Sequence, residues 1–265
     1  MKKLALTSLL AFMAVSGAHA ANMIDGNPLY MPKAGNFYSV TALASHSEDT
    51  EAWTLGEEFG YGVTDQLAVN VRTALAETES FDNYAWEDFG IKATFRALDN
   101  GNWKADVYGE YAADGYLFAH SKAMDDSWWF DKDLINYTWT LGVRGGYVDP
   151  TFTVAGHLEF VYGNSESFNW GDEGAHALKL GLDGQFVIDP DWNLVAGVEY
   201  TGIMDDGAKN DGTWNGYFGV NYNIDATKFV GAYVSADMWH HGGDTGEDWE
   251  VLDGFGFGAK FGIEF

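Results

Sequence analysis

Charged side chains recur at every second position inside short apolar stretches, and these residues are the best suited to chemistry. In the stretch 103–112, Lys104, Asp106 and Glu110 alternate with aliphatic and aromatic residues. Successive side chains of an extended chain point to opposite faces, so the charges of each stretch share one face. The whole set is Arg72, Lys92, Arg96, Lys104, Asp106, Glu110, Arg144, His157, Glu159, Lys179, Asp183 and Glu199. If that face meets water, its mixed charges can sort solutes by sign; in a closed interior they pair with one another.

The segments between these stretches carry most of the acidic excess of a chain whose formal net charge is −26. Carboxylates grouped on a rim raise the local cation concentration and repel anions. Their hard oxygen ligands also suit weak binding of Ca²⁺ or Mg²⁺, and a solvated surface is the alternative interpretation. The longest segment, 113–133, either folds inward as a constriction or lies on the outer surface. Its chemically notable residues are Asp125, Asp126, Trp128, Trp129, Asp131 and Asp133.

Composition excludes several classes of function. The chain has no cysteine, which excludes disulfides, reactive thiols and thiolate metal sites. Its acidity argues against nucleic acid as a partner, because phosphate binding needs a basic footprint. No segment after the N-terminus approaches the roughly 18 consecutive apolar residues that a membrane helix needs.

The alternation predicts twelve β-strands of about ten residues, the length that a tilted strand needs to cross a bilayer. Five of the connections are short and rich in Asp, Asn, Gly and Pro, whereas the six others are long and polar. This pattern is typical of an up-and-down barrel with short turns on one side and long loops on the other. The predicted strands are 37–44, 53–61, 67–75, 89–97, 103–112, 135–147, 152–162, 178–188, 192–200, 214–224, 228–238 and 255–265.

The two faces of these strands indicate which side meets lipid. In the clear strands every Lys and Arg lies on the face opposite the aromatic residues. A soluble barrel would place its charges outside and its large apolar side chains within. Aromatic residues also open and close the strands, as Trp103 and Tyr111 do, where girdles meet the membrane interfaces. The sequence therefore predicts a transmembrane antiparallel β-barrel.

The first twenty residues read as a secretory signal peptide. Lys2 and Lys3 form its basic region, residues 4–15 its apolar region, and Ala18-His19-Ala20 its cleavage site. The domain organisation that follows is a signal peptide at 1–20, a periplasmic N-terminal segment at 21–35 and a barrel domain at 36–265.

The final strand ends the chain on an aromatic residue. Phe257, Phe261, Ile263 and Phe265 alternate with Gly258, Lys260, Gly262 and Glu264. This strand resembles the C-terminal signature of the porin-like class of Gram-negative outer-membrane β-barrels. The resemblance implies a place in the bacterial outer membrane, contact with its lipid and lipopolysaccharide, and recognition by the barrel-assembly machinery. It covers the mature chain as a pattern but identifies no particular member.

Strand number bears on function, because about eight strands already leave an interior that side chains just fill. Twelve strands therefore favour a porin-like channel for small hydrophilic solutes or ions, with a cation-attracting acidic mouth and no cofactor. A narrow, non-conducting structural or adhesive barrel is the alternative.

An enzyme is the less favoured prediction. Asp237, His240, His241 and Asp244 cluster near the end of the eleventh strand, and His157 shares a face with Glu159. Neither group specifies a nucleophile within reach of a base, as catalysis requires. An outer-membrane protease or lipid hydrolase stays open as an alternative.

Two strands fit the pattern poorly. Glu57 falls on the outward face of the second strand, and in the eleventh either Val230 and Val234 or Phe229 and Tyr233 can face lipid. We expect a β-bulge in each of these strands to account for the misfit.

Overall fold

Alternating β-branched, aromatic and small polar residues form twelve long antiparallel strands, as predicted. The computed structural model describes residues 27–46, 53–77, 83–121, 127–129, 136–164, 174–204, 210–242, 250–251 and 255–265. The strands are β1 Phe37–His46, β2 Trp53–Thr64, β3 Leu67–Glu77, β4 Asn83–Asp99, β5 Trp103–Ser121, β6 Asn136–Val148, β7 Phe152–Asn164, β8 Gly174–Val187, β9 Trp192–Ile203, β10 Asn210–Asp225, β11 Lys228–Gly242 and β12 Phe255–Glu264. The signal peptide predicted at 1–20 lies outside the described residues.

The sheet closes on itself. Each strand pairs with its neighbours in sequence, and β1 pairs with β12 from Tyr38↔Glu264 to His46↔Gly256. Beyond this ladder the Phe37 N–H donates to the Phe265 carbonyl at 3.2 Å, and the Phe265 N–H donates to the Phe37 carbonyl at 2.8 Å. Closure satisfies the backbone of strands that have no water to bond in a bilayer. The predicted barrel is confirmed.

Five tight turns lie at the barrel end that also holds Phe37 and Phe265. Aspartates stabilise them by accepting backbone N–H groups two residues ahead, as Asp149 does from Thr151 at 3.0 Å and Asp225 from Thr227 at 2.7 Å. The Thr151 N–H also holds the pKa of Asp149 below its usual range. All five turns follow the predicted boundaries closely.

At the opposite end the predicted strand limits are wrong by several residues. β4 begins at Asn83 rather than 89, and β5 continues to Ser121 rather than ending at 112. A short strand, Ser127–Trp129, pairs with the outer end of β5. Sequence alternation ends earlier than the ladder because a strand that extends beyond the bilayer has water on both faces, so neither face must be apolar.

The exterior is a continuous apolar band. Leu141 and Leu182 on its middle rows are 62% and 59% exposed, values that a water-soluble core residue does not reach. Aromatic rings in contact border the band on both sides, for example Trp103 with Tyr147 at 5.3 Å and Tyr111 with Trp139 at 4.7 Å between centroids. Trp139 and Tyr147 are eight residues apart on β6, which for a tilted strand corresponds to roughly 20 Å along the barrel axis. This is a lipid-facing surface between two girdles.

The two poorly fitting strands differ in outcome. In β11, Val234 is 53% exposed and Phe229 fully buried, so the valine set faces lipid. That strand does contain a bulge, at Met238, where Asn215 pairs with Asp237 and Trp214 with Trp239. β2 has a register shift against β3 between Gly62 and Thr64, at its turn end. It does not account for Glu57, because the ladder with β1 is regular from Phe37↔Tyr61 to Ser45↔Trp53. Glu57 faces outward.

The described residues contain no helix long and apolar enough to cross a membrane.

Candidate functional site

The charged residues selected in the sequence lie on the inward faces of β3 to β9. Their neighbours along each strand, such as Val107 and Leu158, are exposed on the outside. The inward charges fall into three clusters that follow the wall from β3 to β9.

Asp106 is the centre of the first cluster. This carboxylate is 1% exposed and accepts hydrogen bonds from the Nε atoms of Arg96 and Arg144, the latter at 2.7 Å. Arg96 and Lys104 also lie 3.6 Å from the exposed carboxylate of Asp99. One buried carboxylate of β5 therefore binds two arginines, one from β4 and one from β6, the strands on either side of it.

Those arginines bind the backbone of the N-terminal segment. Arg96 Nη2 donates to the Leu29 carbonyl at 2.6 Å, and Arg144 donates to the carbonyls of Pro28 and Tyr30, each at 3.2 Å. Leu29 is 1% exposed. The sequence predicted a periplasmic N-terminal segment at 21–35; in the structure residues 28–32 of that segment enter the lumen from the turn end.

Close backbone contact fixes the chain where it leaves the lumen. The Gly35 N–H donates to the Gly62 carbonyl at 2.8 Å, and the Gly62 N–H donates to the Asn36 carbonyl at 3.0 Å. A Cβ at Gly62 would lie 2.0 Å from the Lys33 carbonyl oxygen, so the approach requires glycine. The sequence signal for this insertion is the apolar run between Pro28 and Pro32, which does not alternate.

Arg72 is the centre of the second cluster. Its Nε lies 3.0 Å from Asp88 and its Nη1 2.5 Å from Glu110, while Lys92 lies 4.0 Å from Glu110. The Lys92 Nζ also lies 4.2 Å from the centre of the Tyr108 ring. Sequence reasoning missed Asp88 because β4 has a register shift between Trp86 and Asp88, which breaks the alternation.

His157 forms the third cluster with carboxylates from two other strands. Its Nδ1 lies 3.1 Å from Asp183 and its Nε2 3.1 Å from Glu199, which also lies 3.4 Å from Lys179. Glu159, the carboxylate that sequence analysis placed beside His157, instead accepts the Tyr108 hydroxyl at 2.6 Å. Both imidazole nitrogens face carboxylates, an arrangement that leaves neither directed at a nucleophile.

The ion pairs run along the wall. Apart from Arg96–Asp99 within β4, each pair named above joins neighbouring strands or strands with one other between them, and a cavity of about 120 Å³ lies against them. The facing wall, formed by β1 and β10 to β12, carries small residues such as Val40 and Ala42 beside the buried rings of Tyr38, Phe229 and Tyr233. Lys260 is a buried basic residue of this wall. Within the described chain its buried Nζ makes no hydrogen bond, and it lies 5.6 Å from the centre of the Tyr233 ring.

The predicted loop residues are mostly beyond what the structure describes. Asp125, Asp126, Asp131 and Asp133 lie outside the described residues. The backbone of Trp128 and Trp129 pairs with His120 and Ala119, so this segment extends the wall beside β5. Among the described residues, no three His, Asp or Glu side chains are grouped to hold a metal ion. For the group predicted near the end of the eleventh strand, the structure describes only the backbone of Asp237, His240 and His241, in β11. Asp244 lies outside the described residues.

A closed twelve-stranded antiparallel barrel with an apolar outer band, aromatic girdles and a charged interior defines a class: the β-barrels of the bacterial outer membrane. The inward Lys and Arg residues and the outward aromatic residues are sorted as that class requires.

Solved structures of that class have the same fold. The NanC porin matches with a TM-score of 0.62 and 8% identity over 85% of this chain and 98% of that chain. The KdgM porin in complex with disordered oligogalacturonate matches with a TM-score of 0.55 and 9% identity over 86% and 99%. The translocator domain of the autotransporter NalP from Neisseria meningitidis matches with a TM-score of 0.55 and 12% identity, over 98% of this chain and 96% of that chain. No protein-family model and no curated protein matches the chain.

Proposed function

We propose that this barrel is a porin-like channel that passes small hydrophilic solutes or ions. The observation that carries the proposal is the direction of the ion pairs, which follow the wall from Arg72 to Glu199. Side chains that pair along a wall leave the centre of the barrel to water, whereas pairs that cross the interior close it.

The fold neighbours support a hydrophilic cargo. Two are porins, and one of them was solved with an oligogalacturonate, a polar saccharide chain. In this barrel the three clusters present arginine, lysine, tyrosine and carboxylate groups along one wall, which suits a solute rich in hydroxyl groups. The two signs nearly balance in the lumen, so the lumen alone predicts weak charge selectivity.

We further propose that the outer loops make the channel cation-preferring. Their carboxylates concentrate cations at the mouth before an ion reaches the narrowest point. In planar bilayers that separate two dilute salt solutions of different concentration, we expect a reversal potential whose sign indicates a preference for cations over anions. Replacing Asp125, Asp126, Asp131 and Asp133 together by Asn is expected to reduce that potential.

Salt concentration supplies the control for this experiment. Screening shortens from about 10 Å at 0.1 M to about 3 Å at 1 M. The difference between the original and the neutralised protein should therefore vanish in concentrated salt. An anion preference in dilute salt contradicts the proposal and assigns selectivity to the basic residues of the lumen.

The acidic loops also suggest a partner. We propose that they share Ca²⁺ or Mg²⁺ weakly with lipopolysaccharide phosphates, because both supply hard oxygen ligands. Retention of the purified protein by lipopolysaccharide should then fall when EDTA is added.

The C-terminal strand is proposed to carry the signal read by the assembly machinery. Phe265 is 70% exposed, and Phe257 and Phe261 share its outward face. Deleting Phe265 or replacing it by Asp should strongly lower the amount of folded protein in the outer membrane. Both changes remove the terminal aromatic ring, and the deletion also removes the backbone hydrogen bonds between Phe265 and Phe37.

Glu264 provides the matched control one residue away. Its Oε1 accepts the Asn36 Nδ2–H at 2.8 Å inside the barrel, and Glu264→Gln keeps an acceptor there. Levels of this variant should stay near those of the original protein. Equal losses for the two positions contradict a special role for the terminal aromatic residue.

One observation favours the non-conducting alternative: residues 28–32 occupy the turn end of the lumen. Conductance of the full-length mature protein decides between a channel narrowed by this segment and a barrel closed by it.

A further inference from the structure

Glu57 lies on the lipid-facing surface, midway between the two girdles. It is four residues from Trp53 at one girdle and four from Tyr61 at the other. Trp53 contacts Phe257 at 5.7 Å, and Tyr61 contacts Phe37 at 4.4 Å between ring centroids. Among the side chains that the structure describes, Glu57 is the one Asp, Glu, Lys or Arg that faces outward between the girdles.

Glu57 belongs to a polar row that crosses three strands. Thr41 of β1 pairs with Glu57 of β2, and Glu57 pairs with Thr73 of β3. The same row continues to Phe261 on one side and Phe89 on the other. Three polar residues therefore stand between two phenylalanines in the middle of an apolar band.

The hydrogen bonds within the row are incomplete. Ser39 donates to Glu57 Oε1 at 2.6 Å, and Thr41 donates to Oε2 at 2.5 Å. The Thr73 oxygen accepts the indole N–H of Trp86. Within the described chain the Thr73 hydroxyl proton has no acceptor. The row thus presents an acceptor, the carboxylate, directly beside an unused donor.

Hydrocarbon supplies no partner for these groups. A charged or polar side chain at the centre of a bilayer is costly, and it usually faces protein or water. Two barrels brought together at an apolar surface gain little, because lipid tails are as apolar as leucine. Packing and hydrogen bonds therefore decide which surface of a membrane protein binds another.

We infer that this row is an interface with a second copy of this chain. A two-fold axis passing between β2 and β3 would place Thr73 of each copy against Glu57 of the other. Each hydroxyl then donates to the carboxylate of the other copy, so the same contact forms twice, as a two-fold interface requires. The adjacency of donor and acceptor makes the row complementary to itself. Leu55 and Leu75, paired in the neighbouring row, flank the polar contact with exposed apolar surface.

The absence of cysteine allows a direct test by cross-linking in membranes. Leu55→Cys introduces a thiol one row from Glu57, and Leu180→Cys introduces one on β8 in a different part of the wall. Leu55 and Leu180 are 46% and 55% exposed, so both thiols should react equally with a small maleimide. A short bis-maleimide is expected to give a product of twice the chain mass from Leu55→Cys and little from Leu180→Cys.

Substitutions in the row then test the hydrogen bonds. In the Leu55→Cys protein, Thr73→Val removes the hydroxyl as donor and also as acceptor of the Trp86 indole N–H, which keeps the Asp88 carbonyl at 3.2 Å as its acceptor. The variant is expected to lower dimer association about five- to tenfold, the effect of two membrane-buried hydrogen bonds. Thr73→Ser restores the donor and should restore cross-linking. Glu57→Leu should also lower it, while a faster-migrating unheated band shows that the barrel is still folded.

Three results would overturn the inference. These are equal cross-linking yields from positions 55 and 180, a product whose mass is not that of two chains, or unchanged yields after Thr73→Val. The first two remove the second copy as the occupant, and the third removes the polar row as its cause.

Discussion

Deleting residues 27–32 from the mature protein is expected to raise its single-channel conductance several-fold. These residues occupy the turn end of the lumen, where Leu29 is buried and three of their carbonyls accept hydrogen bonds from Arg96 and Arg144. Removing them opens the path and exposes the two guanidinium groups to it. The permeability to anions should increase more than the permeability to cations, because two positive charges then face the pore directly.

Deletion of residues 21–26, equal in length, is the matched control and should leave conductance unchanged, because among the described residues the hydrogen bonds between this segment and the lumen wall begin at Pro28. Conductance is measured in planar bilayers at a fixed salt concentration, with folding checked by migration of the unheated protein. Equal conductance of the 27–32 deletion and the full mature chain contradicts the idea that this segment limits flow.

Replacing Asp106 by Asn is expected to destabilise the barrel by about 3–5 kcal/mol, the cost of breaking a buried ion pair from one side. Asp106 is almost completely buried and accepts hydrogen bonds from both Arg96 and Arg144. Without its charge, two buried guanidinium groups lose their anion. Urea unfolding of the protein in lipid vesicles measures the loss through the transition midpoint.

Asp99→Asn is the control, since Asp99 lies 3.6 Å from the same Arg96 but its side chain is 45% exposed. An exposed pair contributes about 0–1 kcal/mol, so this midpoint should hardly move. Similar shifts for the two variants contradict the argument from burial. A folded fraction of the Asp106 variant should also conduct more, because its arginines are held less firmly against Leu29.

The sequence was sufficient for the strands, the turns and the facing of most residues. Because side chains of a strand alternate, each residue faces either lipid or the interior. Once the apolar face is assigned to lipid, the selected charged residues from Arg72 to Glu199 must face inward. Asp, Asn, Gly and Pro mark the turns because each has a local conformational reason to be there. Strand ends at the loop side were underestimated, as for β4 and β5, because the requirement for an apolar face stops with the bilayer.

The sequence alone could not show which partners meet. His157 lies against Asp183 and Glu199, which are 26 and 42 residues away. Register decides such contacts, since side chains on adjacent strands are closer than those two positions apart on one strand. Asp88 escaped notice for the related reason that a register shift reverses the alternation beside it.

Strand number, barrel class and the division into lipid and interior faces were thus predictable from residue types and their period. Only the tertiary structure decided that residues 28–32 enter the lumen, that Asp106 joins two arginines to them, and that Glu57 stands in an outward polar row with Thr41 and Thr73. The physical reason is range. Alternation and turn chemistry act between residues close in sequence, whereas ring closure and strand register bring together groups as distant as Leu29 and Arg144.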